Sequence, residues 1–413
     1  MDFKDTAEEV AFRNEARSWL DQNAELKTGQ RTTTLGEARD RPEYIERCQE
    51  WQAKKADAGW ACITWPVEYG GRAATPIESV IWNQEEARYD TPPNIFTIGQ
   101  GMLGPTIMTH GTDDQKTRYI PKMLRGEEIW CQLFSEPSAG SDLAGLRTSA
   151  VRDGGDWLIT GQKIWTSGAQ YSKWGMIVTR TDPSAAKHAG ITYFIVDMEV
   201  PGIEIRPIRQ INGAAGFNEV FFESVRVPDE YRVGAVNDGW RGAITTLMNE
   251  RAAIGGGGGA GGAGLDELIE LARATSWDGR PAIESDSVRQ KIARFYIRQK
   301  GLQYTSYRTL TALSRGTTPG PESSIGKLVG APMRQEMAGF ALDVMGSAGA
   351  LADDAAVDEG AWELAYLSAP GGRLAGGTDE ILRNIVAERV LRLPPEVRLD
   401  KNVAFSDIPT GLA

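Results

Sequence analysis

The chain has 413 residues, 41% hydrophobic and 24% charged, with a formal net charge of −11 at pH 7. That length is too great for one compact core and implies two or three domains or a large oligomerising subunit, and the apolar share is that of a globular chain. The acidity disfavours a nucleic-acid partner, no run of about 18 apolar residues offers a membrane span, and two histidines with three scattered cysteines supply neither a metal framework nor a disulfide one.

The first part of the chain predicts helices. Thr6 and Glu9 have the T-x-x-E spacing of a capping box ahead of Val10, Phe12, Ala16, Trp19 and Leu20. Segments 45–58 and 77–89 carry helix formers without internal Gly or Pro, and 59–71 reads as a connection. The opening MDFKDTAEEV is acidic and lacks the apolar stretch of a secretion signal, which predicts a cytoplasmic protein. Near Trp130 the texture changes. Strand signals follow at 148–151, 157–160, 175–179, 191–196, 203–208 and 219–227, separated by Gly, Pro, Asp and Asn, the pattern of an antiparallel barrel or sandwich.

Helical texture returns from Trp240, resumes at 265–274, and runs again over 287–314. A final helix is predicted from Thr378, which can cap it, with Asp379 and Glu380 in the first turn and Pro394 and Pro395 beyond its end. Between the first two of these helices lies GGGGGAGG, residues 255–262. Glycine costs about 1 kcal/mol per helical position relative to alanine. The run lacks the Lys-Ser/Thr of a phosphate loop, which leaves a flexible connection, close helix packing or a widened cavity. The coarse order is α, then β, then α.

Several motifs in that order share a source. FSEPSAGSDLAG at 134–145 resembles the signature of the acyl-CoA dehydrogenase family. Gly111-Thr112, Gln115-Lys116, Tyr119, Pro121 and Gly126-Glu127 resemble the approach to it, and GQKIWTS at 161–167 resembles the family's second flavin motif. Gly190 to Val196, Val225 to Pro228, and GGTDEI at 376–381 followed by Ala387-Glu388-Arg389 complete the set. The resemblance implies an α+β multidomain fold: an N-terminal helical domain over 1–128, a middle antiparallel β-barrel domain over 129–234 and a C-terminal helical bundle over 235–413. It implies FAD as cofactor, with Gln132, Leu133, Phe134, Ser135, Gly140, Ser141, Trp165, Thr166, Ser167, Arg273, Thr378 and Glu380 around it. From the residues alone, Trp165 could equally fill the core, as a strand tryptophan usually does.

Removing hydrogen from the α and β carbons of a thioester needs a carboxylate for the α-proton and donors for the thioester oxygen. Many family members carry that glutamate just before the Gly-Thr of the C-terminal motif, where this chain has Gly376. The family's second location is on an earlier helix directly before an arginine, and there the chain reads Leu247-Met248-Asn249-Glu250-Arg251. The resemblance therefore implies Glu250 as base, Gly376 N–H as a donor to the thioester oxygen, and Ser141, Arg251, Gly376 and Gly377 in contact with substrate. Met248 replaces an aspartate that contacts CoA in many relatives. The glycine run suggests a wide acyl pocket for a branched or polycyclic group such as a steroid side chain.

The far half of the FAD pattern departs. No Phe-Gly follows Arg273, and Asp286 and Asp343 stand where glutamines are expected. Two aspartates near a pyrophosphate repel it. Either the FAD tail takes another route, through Arg273, or a homologous subunit supplies the missing half. An electron-transferring flavoprotein is the implied electron acceptor, in a homo-oligomer or hetero-oligomer. The competing readings are an acyl-CoA oxidase and a non-catalytic subunit.

Overall fold

The computed structural model describes residues 5–27, 41–255, 264–277, 279–314, 320, 324–351, 355–398, 400 and 402–409, with the side chains of 251–255, 310, 313 and 314 excepted. The chain divides into two compact units, one formed by Met1–Leu26, Ala38–Ala253 and Glu396–Ala413, the other by Lys27–Glu37 and Ile254–Pro395.

The first unit opens with α1 (Ala7–Asn23), whose Thr6–Glu9 capping box forms as predicted. After β1 (Glu25–Leu26) come α2 (Pro42–Asp57) and α3 (Pro76–Glu86), the latter capped by a second reciprocal box, Thr75 with Glu78. The predicted helix over 77–89 overruns: its end turns into β2 (Tyr89–Asp90), which pairs with β1. α4 (Gly104–His110) and α5 (Asp113–Arg125) follow, and Gly126 closes α5 at φ +73°. Among these helices the buried Glu85, 3% exposed, accepts from Arg13, Arg17 and Arg88. Burial alone would raise its carboxyl, but the three guanidinium groups hold it down at about 2. Its folded value lies below the unfolded one, so this stabilisation is present at neutral pH and is lost as pH falls from about 4.5 toward 2. The melting temperature of Glu85→Gln should therefore lie below that of the parent at pH 7 and converge with it across that window; a gap that does not narrow would contradict this origin.

The sheet is built from β3 (Trp130–Leu133), β4 (Ser149–Asp153), β5 (Asp156–Ser167), β6 (Trp174–Arg180), β7 (Ile191–Asp197), β8 (Ile203–Ile208), β9 (Phe217–Pro228) and β10 (Arg232–Val233). Its order is β10-β7-β6-β4-β5-β9-β8, with β3 beside β6. Each of the six segments read as strands is one. The pairing differs in two respects from a closed antiparallel barrel. β3 and β4 both pair in parallel with β6, and the ladder among the described residues ends at β10 and β8 without closing.

The core of the first unit runs on across residues 128/129 and 234/235. One buried cluster joins Trp65 of the connection after α2, with Leu103 and Ile107 of the helical segment 99–110, to Trp130, Trp174 and Tyr193 of the sheet, and to Ala243. Ala243 sits on α6 (Gly239–Gly255), the helix that follows the sheet.

The second unit contains α7 (Leu265–Ala274), a short hairpin of β11 (Ser276–Trp277) and β12 (Arg280–Pro281), α8 (Asp286–Ser314), α9 (Ser324–Met345), α10 (Ala361–Leu374) and α11 (Asp379–Ile385). Leu268, Phe295, Met337, Ala341 and Trp362 form its core. Thr378 caps α11 as predicted, accepting from Ile381 N–H. The helix ends earlier than the prolines suggest: it passes through one wide turn at Val386–Val390, and Arg392 at φ +57° breaks it before Pro394. Among the described residues no helix is long and apolar enough to cross a membrane.

Candidate active site

Glu250 sits near the end of α6, and its aim is set by that helix's fit to β7. Gly242, Thr246 and Glu250 recur every four residues and so share a face. At Gly242 a Cβ would lie 2.7 Å from the Tyr193 ring, and at Gly239 one would lie 2.6 Å from the Thr192 backbone, so only glycine permits this approach. One turn on, Thr246 is fully buried; its hydroxyl lies 3.1 Å from Tyr193 Oη and 2.8 Å from Thr106 Oγ1 of α4. His110 Nε2, at the end of α4, meets Thr245 Oγ1 at 2.8 Å. A further turn along this clamped face brings the half-buried Glu250 carboxylate to Gln132 of β3, whose amide donates to Oε2 across 3.4 Å. The bond is long for an amide donor and a carboxylate acceptor.

Gln132 leads into the signature loop. Leu133 and Phe134 are buried, the Phe134 ring standing edge-on to Tyr193 at 5.7 Å. Ser135 is half-buried and its carbonyl accepts from Ile164 N–H at 2.9 Å, tying the loop to β5. Gly140 and Ser141 are exposed.

The loop is held by a buried charge pair that sequence reasoning did not single out. Lys163 Nζ, 0% exposed, donates to Glu136 Oε1 at 2.9 Å and to the Phe134 carbonyl at 3.0 Å. The same Glu136 carboxylate accepts from the backbone N–H groups of Arg147 and Thr148. Burial works against the ionised Glu136, yet the Lys163 charge and these hydrogen bonds hold its carboxyl below the usual range. Burial likewise lowers Lys163, against the pull of Glu136. A signal existed: Trp157, Ile159 and Lys163 share the parity of β5's buried face, and a lysine there demands an anion.

That parity then breaks, which corrects the core reading of Trp165. Lys163 pairs with Val220 but Thr166 pairs with Asn218, so β5 carries one extra residue. Trp165 occupies the bulge at φ +61° and its side chain turns outward, 56% exposed, with Phe217 edge-on at 6.0 Å. A bulky residue in left-handed backbone costs about 1–3 kcal/mol, and such strain concentrates at functional sites. The bulge turns Thr166 inward instead. Thr166 is 1% exposed and its Oγ1 has no hydrogen-bond partner among the described residues, and neither has Oδ1 of the neighbouring Asn218. Ser167 is half-buried at the strand's end.

In the second unit Gly376 and Gly377 both adopt positive φ, +66° and +97°. The Lys327 ammonium donates to the carbonyls of Ala375 and Gly377 on either side of Gly376. Arg373 clamps Asp379 at 2.5 Å. Glu380 is exposed beside Arg383, and Arg273 is largely exposed and paired with Glu270. Asp286 and Asp343 are both exposed. The Arg251 side chain and residues 256–262 of the glycine run lie outside the described residues.

Family models match almost the whole chain: an acyl-CoA dehydrogenase N-terminal domain over residues 6–127, a middle domain over 131–225 and a C-terminal domain over 237–391. The chain belongs to the acyl-CoA dehydrogenase family. It is 37% identical over 394 residues to acyl-CoA dehydrogenase IpdE1 of Mycobacterium tuberculosis, spanning 94% of this chain and 98% of that one. It is 44% identical over 344 residues to acyl-CoA dehydrogenase FadE34 of the same organism, spanning 83% of this chain but only 46% of that longer protein. Among solved structures it is similar to the ChsE4-ChsE5 complex of Mycobacterium tuberculosis, at 30% identity and TM-score 0.77, covering 96% of this chain and 100% of that one. A Tcur3481-Tcur3483 steroid ACAD matches with TM-score 0.77 at 28% identity, over 96% and 100% of the two chains.

The activity is therefore acyl-CoA dehydrogenation, and the family's cofactor is FAD. The residues near the bulge fit a flat polar ring: two orphaned buried oxygens, at Thr166 and Asn218, and an outward indole held in strained backbone.

Proposed function

We propose that this acyl-CoA dehydrogenase uses Glu250 to take the α-proton of a bulky acyl-CoA, of the steroid side-chain class, giving the 2-enoyl thioester. The contact between Gln132 and Glu250 carries the reading. These residues lie 118 positions apart, yet the carboxylate meets the strand that opens the flavin signature. Bound FAD supplies a hydride acceptor at its N5. Thr166 Oγ1 and Ser167 would hydrogen-bond the ring's polar edge, Trp165 would cover it, and Gln132 to Ser141 would line its other side. Thr378 and Glu380 would hold the remainder of the cofactor. Glu250, fixed by the clamped face of α6 and by Gln132, would receive the proton without moving its backbone. Gly376 N–H would donate to the thioester oxygen as enolate charge grows, and Lys327 fixes the turn that carries it. Arg251, Ser141 and Gly377 would contact the CoA thioester.

The domain division at 128/129 and 234/235 belongs to this proposal, as does an electron-transferring flavoprotein as electron acceptor. The exposed Asp286 and Asp343, where glutamines were expected, and the Arg273–Glu270 pairing leave no evident holder for the FAD pyrophosphate among the described residues. Two similar solved structures pair two different subunits by name. We assign the missing half to a homologous partner subunit. Co-expression with such a subunit should raise FAD content to a full complement, whereas the chain alone carrying one tightly bound FAD would contradict the assignment.

The glycine run after Glu250 favours a wide acyl pocket. A panel of acyl-CoAs compared by flavin bleaching and kcat/KM should rank a branched or polycyclic acyl group above a medium straight chain by about tenfold or more, the discrimination worth one or two methylene contacts. A medium straight chain proving best would refute the substrate class while leaving the role of Glu250 standing.

A further inference from the structure

The segment that follows the second unit in sequence pairs with the loop 182–190 between β6 and β7. Ala404 bridges Ala186, Phe405 N–H donates to the Ala185 carbonyl at 2.9 Å, and Ser406 N–H donates to the Pro183 carbonyl at 2.8 Å. Loop 182–190 beneath it is firm. Thr181 and Asp182 both donate to the Gly190 carbonyl, and a Cβ at Gly190 would lie 1.9 Å from the Asp182 carbonyl oxygen.

Two side-chain relays run from this segment into residues 142–147. In the first, the buried Lys187 ammonium bridges Asp400 to Asp142 of the signature, the latter at 2.7 Å. In the second, the buried ring of Phe405 lies under the guanidinium of Arg180 at 3.9 Å and near that of Arg147 at 5.3 Å. Arg180 in turn donates to the Ala144 carbonyl at 2.6 Å and to the Lys187 carbonyl at 2.7 Å. Arg147 is the residue whose N–H binds Glu136. Cation–aromatic contacts strengthen when desolvated, as at Phe405.

We propose that Asp400 and residues 402–406 are a strap for the flavin signature, with Phe405 and Asp400 as positioning residues that act through Arg180 and Lys187 on the 136–147 loop. The inference rests on the reading that this loop contacts FAD. The strap couples a segment some 260 residues downstream to the cofactor loop, so cofactor retention depends on a part of the chain that touches neither flavin nor substrate.

The test measures FAD dissociation and the visible flavin spectrum of the full-chain holoenzyme for Phe405→Ala, Phe405→Tyr, Asp400→Asn and Ser141→Ala. Phe405→Ala should weaken FAD retention about tenfold, the scale of one desolvated cation–aromatic contact. Asp400→Asn, a change at a partly exposed position, should weaken it several-fold. Phe405→Tyr, which keeps the ring, should restore retention and spectrum. A contact that is merely structural would lower the melting temperature without shifting the spectrum or the FAD dissociation constant. If Ser141→Ala weakens FAD binding while Phe405→Ala and Asp400→Asn leave it within twofold of the parent, the strap is refuted and the loop's flavin role stands. If none of the variants alters FAD binding, both fall.

Discussion

Glu250→Gln should lower kcat by about 10²- to 10⁴-fold, the usual contribution of a positioned general base. The amide matches the carboxylate in size and can still meet Gln132, so α6 should keep its place and the flavin spectrum should be unchanged. KM should change little, because the loss falls on the proton-transfer step and not on binding. Steady-state kinetics with a bulky acyl-CoA, alongside the flavin spectrum, check both halves. A variant with parental kcat would require another base, and Gly376 offers no side chain at the alternative position. The supports of α6 make a second-order version: Gly242 has no room for a methyl group against Tyr193, so any larger residue there must shift the helix.

The second large effect concerns the buried pair. Glu136→Gln leaves the Lys163 ammonium at 0% exposure facing only the Phe134 carbonyl and a neutral amide. Breaking a buried ion pair by removing one partner costs about 3–5 kcal/mol. The variant should unfold at distinctly lower denaturant or temperature, and FAD should protect it less than it protects the parent. Replacing both members, Glu136→Gln with Lys163→Met, should recover a good part of the loss, since no charge is then stranded. The pH sign follows from Glu136 being held below its usual range: its contribution is present at neutral pH and fades as pH falls through the carboxylate range. Denaturant midpoints for the two variants and the parent decide the matter. A single variant within about 1 kcal/mol of the parent would mean that water reaches Lys163.

Local order was the legible part of the fold. The Thr6–Glu9 capping box and the strand 203–208 lie where the sequence puts them, because each depends on neighbours a few positions apart. Tyr89 was missed as a strand because its partner, Leu26, lies far back in the chain and nothing local marks the pairing. β3 was not among the strands read from the sequence for the same reason: its partner, β6, lies more than 40 residues away.

At the site, the motif residues were legible but their packing was not. Trp165 reads inward by alternation, and one inserted residue turns it outward while sending Thr166 in. Lys163 and Glu136 stood inside recognised motifs without a role until the fold joined them. The clamp of Gly239, Gly242 and Thr246 on β7 and α4 was invisible too, since glycine and threonine on a helix signal nothing until a tyrosine is found against them. Gln132 and Glu250, predicted for separate reasons, are the pair that the fold brings into contact.

The assignment of Glu250 can be read directly from carbon acidity. A substrate analogue that binds beside the flavin but cannot release a β-hydride, incubated with the holoenzyme in deuterated water, should exchange its α-proton with solvent. With the parent enzyme that exchange should be rapid, and with Glu250→Gln it should fall to the rate of the free analogue. Exchange persisting at the parental rate in Glu250→Gln would contradict Glu250 as the base.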